Sequence, residues 1–204
     1  MKFFSDHRHK KIVILLGHPD TTHTNSSEMA LMYETAAKKA GHEVKRFDLG
    51  DMRFDPILHR GYKDIQQLEP DLIALQEAIK WADHFVLVYP TWWSGMPALL
   101  KGMFDRMWLP SFAFHMRKTL QGSPAVGWKK MMKGKTARVI TLTGQHPFFI
   151  WCLFGDYTNE IKMAILWFAG FKTRVTCLGP VEYAPEWMRN SWRRKVWRLG
   201  ELGE

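Results

Sequence analysis

The chain has 204 residues and a formal net charge of +9, from 29 Lys and Arg against 20 Asp and Glu. Hydrophobic residues make up 46%, enough to bury a real core, which excludes a disordered tail or a collagen-like rod. Two cysteines, Cys152 and Cys177, exclude a disulfide scaffold, and no histidine pair has a Cys or carboxylate at ligand spacing, so no metal site is expected.

Residues 1–10 are basic and lack the apolar stretch of a signal peptide, so they read as a flexible N-terminus. With twelve Met and two cysteines this points to a reducing cytoplasm. Residues 11–204 read as a single domain. Its first element is the continuous apolar run Lys11-Ile12-Val13-Ile14-Leu15-Leu16, the pattern of a strand buried on both faces. Met29, Met32, Ala36 and Ala40 follow at helical spacing, with Gly41 as the stop. Residues 43–49 alternate, as an edge strand does. Leu68, Leu72, Leu75 and Ile79 mark a helix ending near Trp81, and Phe85-Val86-Leu87-Val88-Tyr89 reads as a central strand. A helix is predicted over 96–108, with Pro97 in its first turn. Residues 109–134 form a polar, Gly- and Pro-punctuated stretch, expected to be a functional loop. Strands over 136–142 and 173–178 flank a helix over 157–169, and a last helix at about 185–199 carries Trp187, Trp192 and Trp197 among arginines.

Strand and helix alternating five times is the signature of an α/β fold with a doubly wound parallel sheet. Such sheets bind ligands at the strand carboxyl ends where strand order reverses, which directs attention to the loops after the first, third and fourth strands. The first, Gly17 to Ser27, puts hydroxyl and amide side chains at a helix N-terminus; Thr24, Asn25 or Ser26 caps the helix or cradles a phosphate, and both readings stand. It is neither a dinucleotide glycine motif nor a Walker loop. Gly134-Lys135-Thr136 precedes a strand, which excludes a nucleoside triphosphatase.

The second loop supplies the specific signal: Pro90-Thr91-Trp92-Trp93-Ser94, then Pro97, Leu100-Lys101-Gly102 and Asp105-Arg106, directly after an apolar strand. This run resembles the flavin loop of the NAD(P)H:quinone oxidoreductase branch of the flavodoxin-like superfamily. His18-Pro19 through Asn25 is similar to that family's phosphate loop, and Leu142-Thr143-Gly144 to its third flavin loop. The resemblance covers about residues 11–180. It implies a flavodoxin-like, five-stranded parallel sheet of order 2-1-3-4-5 with helices on both faces. It also implies a flavin, FMN or alternatively FAD, with NAD(P)H as co-substrate. His18, His23, Thr24, Asn25, Pro90, Thr91, Trp92, Trp93, Ser94, Leu142, Thr143 and Gly144 are the residues it assigns to the flavin.

The implied activity is two-electron reduction of quinones or similar electrophiles by a ping-pong mechanism, in a homodimer whose pocket is completed by residues 109–134 or 148–154. The resemblance carries a second implied role, as an ancillary flavin-binding subunit of a potassium efflux system. Some relatives relay charge through a Tyr and a His after the third loop. Phe149, Ile150 and Trp151 stand near those positions here, leaving Tyr157 and His146 as the catalytic candidates. Asp105-Arg106 reads as a structural ion pair or an interface element. A net positive charge suits a phosphate-bearing hydride donor or an anionic membrane surface, and no nucleic-acid motif accompanies it. Packing on the domain or on a second subunit accounts better for the tryptophans of the last helix than a membrane surface does.

Overall fold

The computed structural model describes residues 9–118 and 124–204; residues 1–8, assigned above to a flexible segment, lie outside them. His9 and Lys10, placed in the same segment, are tied down instead. The His9 ring bonds Gly41 O at 2.8 Å, and Lys10 Nζ donates to Gly203 O at 2.8 Å.

In chain order the elements are β1 (Lys11–Leu16), α1 (Asn25–Lys39), β2 (Glu43–Asp48), α2 (Pro70–Trp81), β3 (His84–Thr91), α3 (Ala98–Met107), β4 (Phe114–Lys118), β5 (Pro124–Lys130), β6 (Thr136–Thr143), α4 (Pro147–Phe154), a π-helical segment (Glu160–Trp167), β7 (Lys172–Leu178) and α5 (Glu186–Leu202). The main sheet is parallel, in the order β2-β1-β3-β6-β7. Counted over its own five strands this is 2-1-3-4-5, as the sequence implied.

β1 shows why the sequence folds this way. Ile12, Val13, Ile14, Leu15 and Leu16 are fully buried, at roughly 1.5–3 kcal/mol per side chain. Alternate residues enter opposite cores. Val13 and Leu15 join Leu72, Leu75, Leu100, Met103 and Ile161 beneath α2, α3 and the π-helical segment. Ile12, Ile14 and Leu16 join Met29, Tyr33 and Val196 beneath α1 and α5. β2 alternates between exposed and half-buried residues, the pattern of the sheet edge it occupies.

Three elements differ from the sequence-based expectation. Residues 109–134 contain the antiparallel hairpin β4–β5, pinned by Trp128, whose ring stacks on Phe168 at 4.3 Å and whose Nε1 donates to Phe168 O at 2.8 Å. Residues 147–154 form α4, a short helix with no polar face to give it a period; Phe148, Phe149, Trp151, Leu153 and Phe154 are all exposed. The helix expected over 157–169 is π-helical across Glu160–Trp167. Two boundaries also move: Pro97 is the N-cap of α3 rather than part of its first turn, and α5 runs on to Leu202. The α5 tryptophans divide, with Trp192 packed on the α1 core, Trp197 donating to Glu201 at 2.8 Å and Trp187 exposed. Among the described residues no helix is long and apolar enough to cross a membrane.

Candidate functional site

β1 is followed by Gly17, whose N–H donates to Val88 O at 2.7 Å. A Cβ here would lie 2.8 Å from Leu100 Cδ2, so the absent side chain lets the first loop leave the sheet against α3. Asp20 then organises the turn by accepting the Thr22 N–H at 2.9 Å and the Thr22 hydroxyl at 2.6 Å; these bonds hold its carboxyl below the usual range.

Thr24 is the α1 N-cap in a reciprocal box: the Ser27 N–H donates to Thr24 Oγ1 at 3.0 Å, and the Thr24 N–H to Ser27 Oγ at 2.9 Å. The Thr24 hydroxyl is therefore committed to capping. Glu28 N–H bonds Thr24 O at 3.0 Å, so Asn25 and Ser26 carry the α1 donors that remain open to a ligand. Asn25 Oδ1 accepts from Arg189 Nη1 at 3.0 Å, which brings a guanidinium from α5 beside this helix end.

The second loop continues from Pro90 and Thr91 at the end of β3. The Thr91 and Thr141 hydroxyls bond at 2.5 Å, locking β3 to β6. Trp92 and Gly95 exchange both backbone bonds, at 2.9 and 3.0 Å, around Trp93 and Ser94 with φ of 50° and 59°. Two positive-φ residues between a doubly bonded pair make a type I′ turn built without glycine, a strained arrangement. In the third loop Thr143 is buried, with its hydroxyl in reach of Gln145 O at 2.7 Å and Leu178 O at 3.3 Å.

A cleft of about 290 Å³ lies where these loops meet, bounded by His18, His23, Thr24, Asn25, Ser26, Pro90, Thr91, Trp92, Leu142, Gly144, Val181 and Glu182. The His18 ring stands edge-on to Trp92 at 5.5 Å, and its Nδ1 accepts the Asp20 N–H at 2.9 Å. Nine of the twelve residues assigned to the flavin converge here. Trp93, Ser94 and Thr143 do not: the turn throws Trp93 fully into solvent with Ser94 beside it, and Thr143 spends its hydroxyl closing its own loop.

The two catalytic candidates also fall outside. His146 is the α4 N-cap, its Nδ1 accepting the Phe148 N–H at 3.2 Å. Tyr157 turns its hydroxyl inward, where burial raises its pKa and its polar neighbours are Cys177, Tyr89 and Asp156. Asp105 and Arg106 do not pair with each other. Asp105 pairs with Lys101 at 2.6 Å, while fully buried Arg106 grips Glu69 at 3.0 Å and donates to Gln67 O at 2.7 Å.

Val181, Glu182 and Arg189 were not anticipated. Val181 and Glu182 follow β7, whose carboxyl end shares the same sheet edge, so inspecting the loop after every strand would have found them. Val181 N–H bonds Thr143 O at 2.9 Å, which draws that loop onto the cleft. Arg189 had no local signal; its guanidinium reaches Asn25 only through the packing of α5 on α1.

A parallel α/β sheet with a phosphate-sized helix end at its strand-order reversal defines the class of doubly wound ligand-binding domains. The flavodoxin-like fold family matches residues 10–179, and the chain belongs to it. It is 28% identical over 190 residues to rat (Rattus norvegicus) NAD(P)H dehydrogenase (quinone) 1, covering 80% of this chain and 66% of that protein. It is 33% identical over 107 residues to an uncharacterized NAD(P)H oxidoreductase of Haemophilus influenzae, covering 50% of this chain and 52% of that one. The chain thus spans between about half and two thirds of the length of these relatives. The crystal structure of Smu.1420 from Streptococcus mutans UA159 superposes with a TM-score of 0.76 at 28% identity, over 93% of this chain and 98% of that one.

Proposed function

We propose that the chain is a flavin-dependent NAD(P)H oxidoreductase that reduces quinones or similar electrophiles in two-electron steps, with FMN in the cleft and FAD as the alternative. The observation that carries this reading is the convergence of three loops on one cleft that ends at the open donors of α1. The names of the rat and Haemophilus relatives support the reaction class.

The donor set fits the group. Asn25 and Ser26 N–H would take the flavin phosphate at the positive end of the α1 dipole, with Arg189 adding a full charge beside them. Pro90 and Thr91 would offer rigid strand-end backbone to the ring, Trp92 a flat wall, and Gly144 a position with no side chain to fill the slot. When bound, the flavin supplies a two-electron centre between NAD(P)H and acceptor. One cleft then serves both substrates in turn, which gives ping-pong kinetics. His146 and Tyr157 take no part in this reading, because neither lines the cleft. A homodimer is part of it: α4 begins three residues after Gly144 and offers an exposed apolar surface.

The test is to purify the protein, record its visible spectrum and identify the released flavin by chromatography, then follow NAD(P)H oxidation with menadione. Bound flavin with parallel-line kinetics supports the proposal. A colourless protein that gains no flavin absorbance from FMN or FAD overturns it. Flavin retained without turnover favours the ancillary-subunit role instead.

A further inference from the structure

The opposite edge of the main sheet holds a second cavity, of about 370 Å³, at the amino ends of β3, β6 and β7. β3 runs from His84 at this edge to Thr91 at the cleft, a separation of about 23 Å at about 3.3 Å per residue. The two sites are therefore distinct. The lining brings together four cations, Lys10, Arg138, Lys172 and Arg174, with Glu204 the one acidic residue among them.

Those charges are poorly compensated. Arg174 Nη1 lies 3.1 Å from Glu204 Oε2, and Arg138 Nη2 reaches the same oxygen only at 3.8 Å. Lys10 Nζ meets only a backbone carbonyl, Gly203 O at 2.8 Å. Arg138 is only 7% exposed, and a guanidinium so far from water calls for a full partner.

Buried polar atoms without a partner gather at the same place. Five are found among the described residues, and three of them belong to this lining: His84 Nε2, Arg138 Nε and Thr173 Oγ1. His84 is 2% exposed, and its Nδ1 bonds Thr136 Oγ1 at 2.7 Å. Burial pushes its pKa down to about 3, with Lys10, Arg138 and His42 adding to the shift and the Glu204 backbone opposing it. The ring is therefore neutral, and in the tautomer where the Thr136 hydroxyl donates to Nδ1 its Nε2 carries the proton as a donor.

We propose that this cavity binds a small phosphate-bearing anion, with Arg138, Arg174 and Lys172 supplying charge and His84 Nε2–H and Thr173 Oγ1 completing the shell. An excess of positive charge calls for a multiply charged ligand rather than a lone carboxylate, and arginine's planar fork suits phosphate oxygens. Glu204 is the anion such a ligand would displace from Arg138 and Arg174.

Isothermal titration of the purified full chain, with FMN added and ionic strength held constant, tests this. Inorganic phosphate and a phosphate monoester such as AMP are the probes, and chloride is the control. Binding is expected to weaken by at least about tenfold in a Lys172→Gln/Arg174→Gln double variant, whose two side chains are exposed and can change without threatening the fold. Asn25→Ala, at the cleft, is expected to leave it unchanged. His84→Gln is the second probe, expected to weaken phosphate binding while the far cleft still takes FMN. Phosphate heats no different from chloride overturn the proposal, as does binding lost with Asn25→Ala but kept in the double variant. Binding of inorganic phosphate with exclusion of AMP assigns the site to the free ion; tighter binding of AMP assigns it to a phosphorylated metabolite.

Discussion

Replacing Arg106 with Met removes the clamp that holds the long segment after β2 against α3. The guanidinium is fully buried and makes a two-pronged contact with Glu69, at 3.1 and 3.0 Å, while also bonding the Asp55 and Gln67 carbonyls. Breaking a buried ion pair from one side costs about 3–5 kcal/mol. Glu69 keeps 28% of its side chain exposed and can rehydrate, which places the expected loss near the lower end, about 3 kcal/mol. At about 2–4 °C per kcal/mol for a chain of this size, Tm should fall by about 6–12 °C. Urea titration with intrinsic fluorescence measures the same loss as a lower midpoint at unchanged slope.

The pH dependence gives a second handle on that variant. Burial raises the Glu69 pKa, but the Asp55 N–H bond and Arg106 outweigh it and hold the carboxyl below its ordinary 4.5. A depressed carboxyl contributes stability above its unfolded pKa and loses it as pH falls through the folded value. The gap between wild type and Arg106→Met should therefore narrow below about pH 4.5. A loss under about 1 kcal/mol at neutral pH, or a gap that widens in acid, refutes the clamp.

The cleft and its turn give three further expectations. Trp92→Ala should weaken FMN binding about tenfold by fluorescence titration, whereas Trp93→Ala, outside the cleft, should change it less than about twofold; equal losses contradict the geometry. Ser94→Gly relieves a left-handed residue in the type I′ turn and should raise stability by about 0.5 kcal/mol in chemical denaturation; a lower midpoint counts against strain there. Tyr157→Phe removes a buried hydroxyl with no partner beyond the weak Cys177 thiol, so Tm should change little, and menadione-dependent kcat should stay within about twofold. A large fall in kcat with the fold intact returns Tyr157 to the relay.

What the sequence disclosed follows the range of the interactions involved. β1 and β3 announce themselves because a strand buried on both faces must be apolar at every position, and their order in the sheet follows from the family resemblance. The cleft is legible where residues lie at strand ends, as Pro90, Thr91, Leu142 and Gly144 do. Trp93 was misplaced because adjacent tryptophans look alike in sequence, and only the φ values of the turn send one ring to the cleft and the other to water. The β4–β5 hairpin was hidden for another reason: Trp128 finds its partner forty positions away in Phe168. The Arg106 partner was hidden likewise, since Glu69 lies 37 residues upstream.

The fastening of α1 to α5 has a consequence for how the molecule is born. Asn25–Arg189, Glu28–Arg193 and Lys10–Gly203 join residues 164, 165 and 193 positions apart. A chain emerging from the ribosome exposes the α1 end of the cleft long before α5, its fastener, is made. Contacts of such long range close late in folding. A nascent or truncated chain ending before α5 would carry nearly every cleft residue and still lack the helix that steadies Asn25. The pocket should thus be finished only once α5 has been made and has docked on α1.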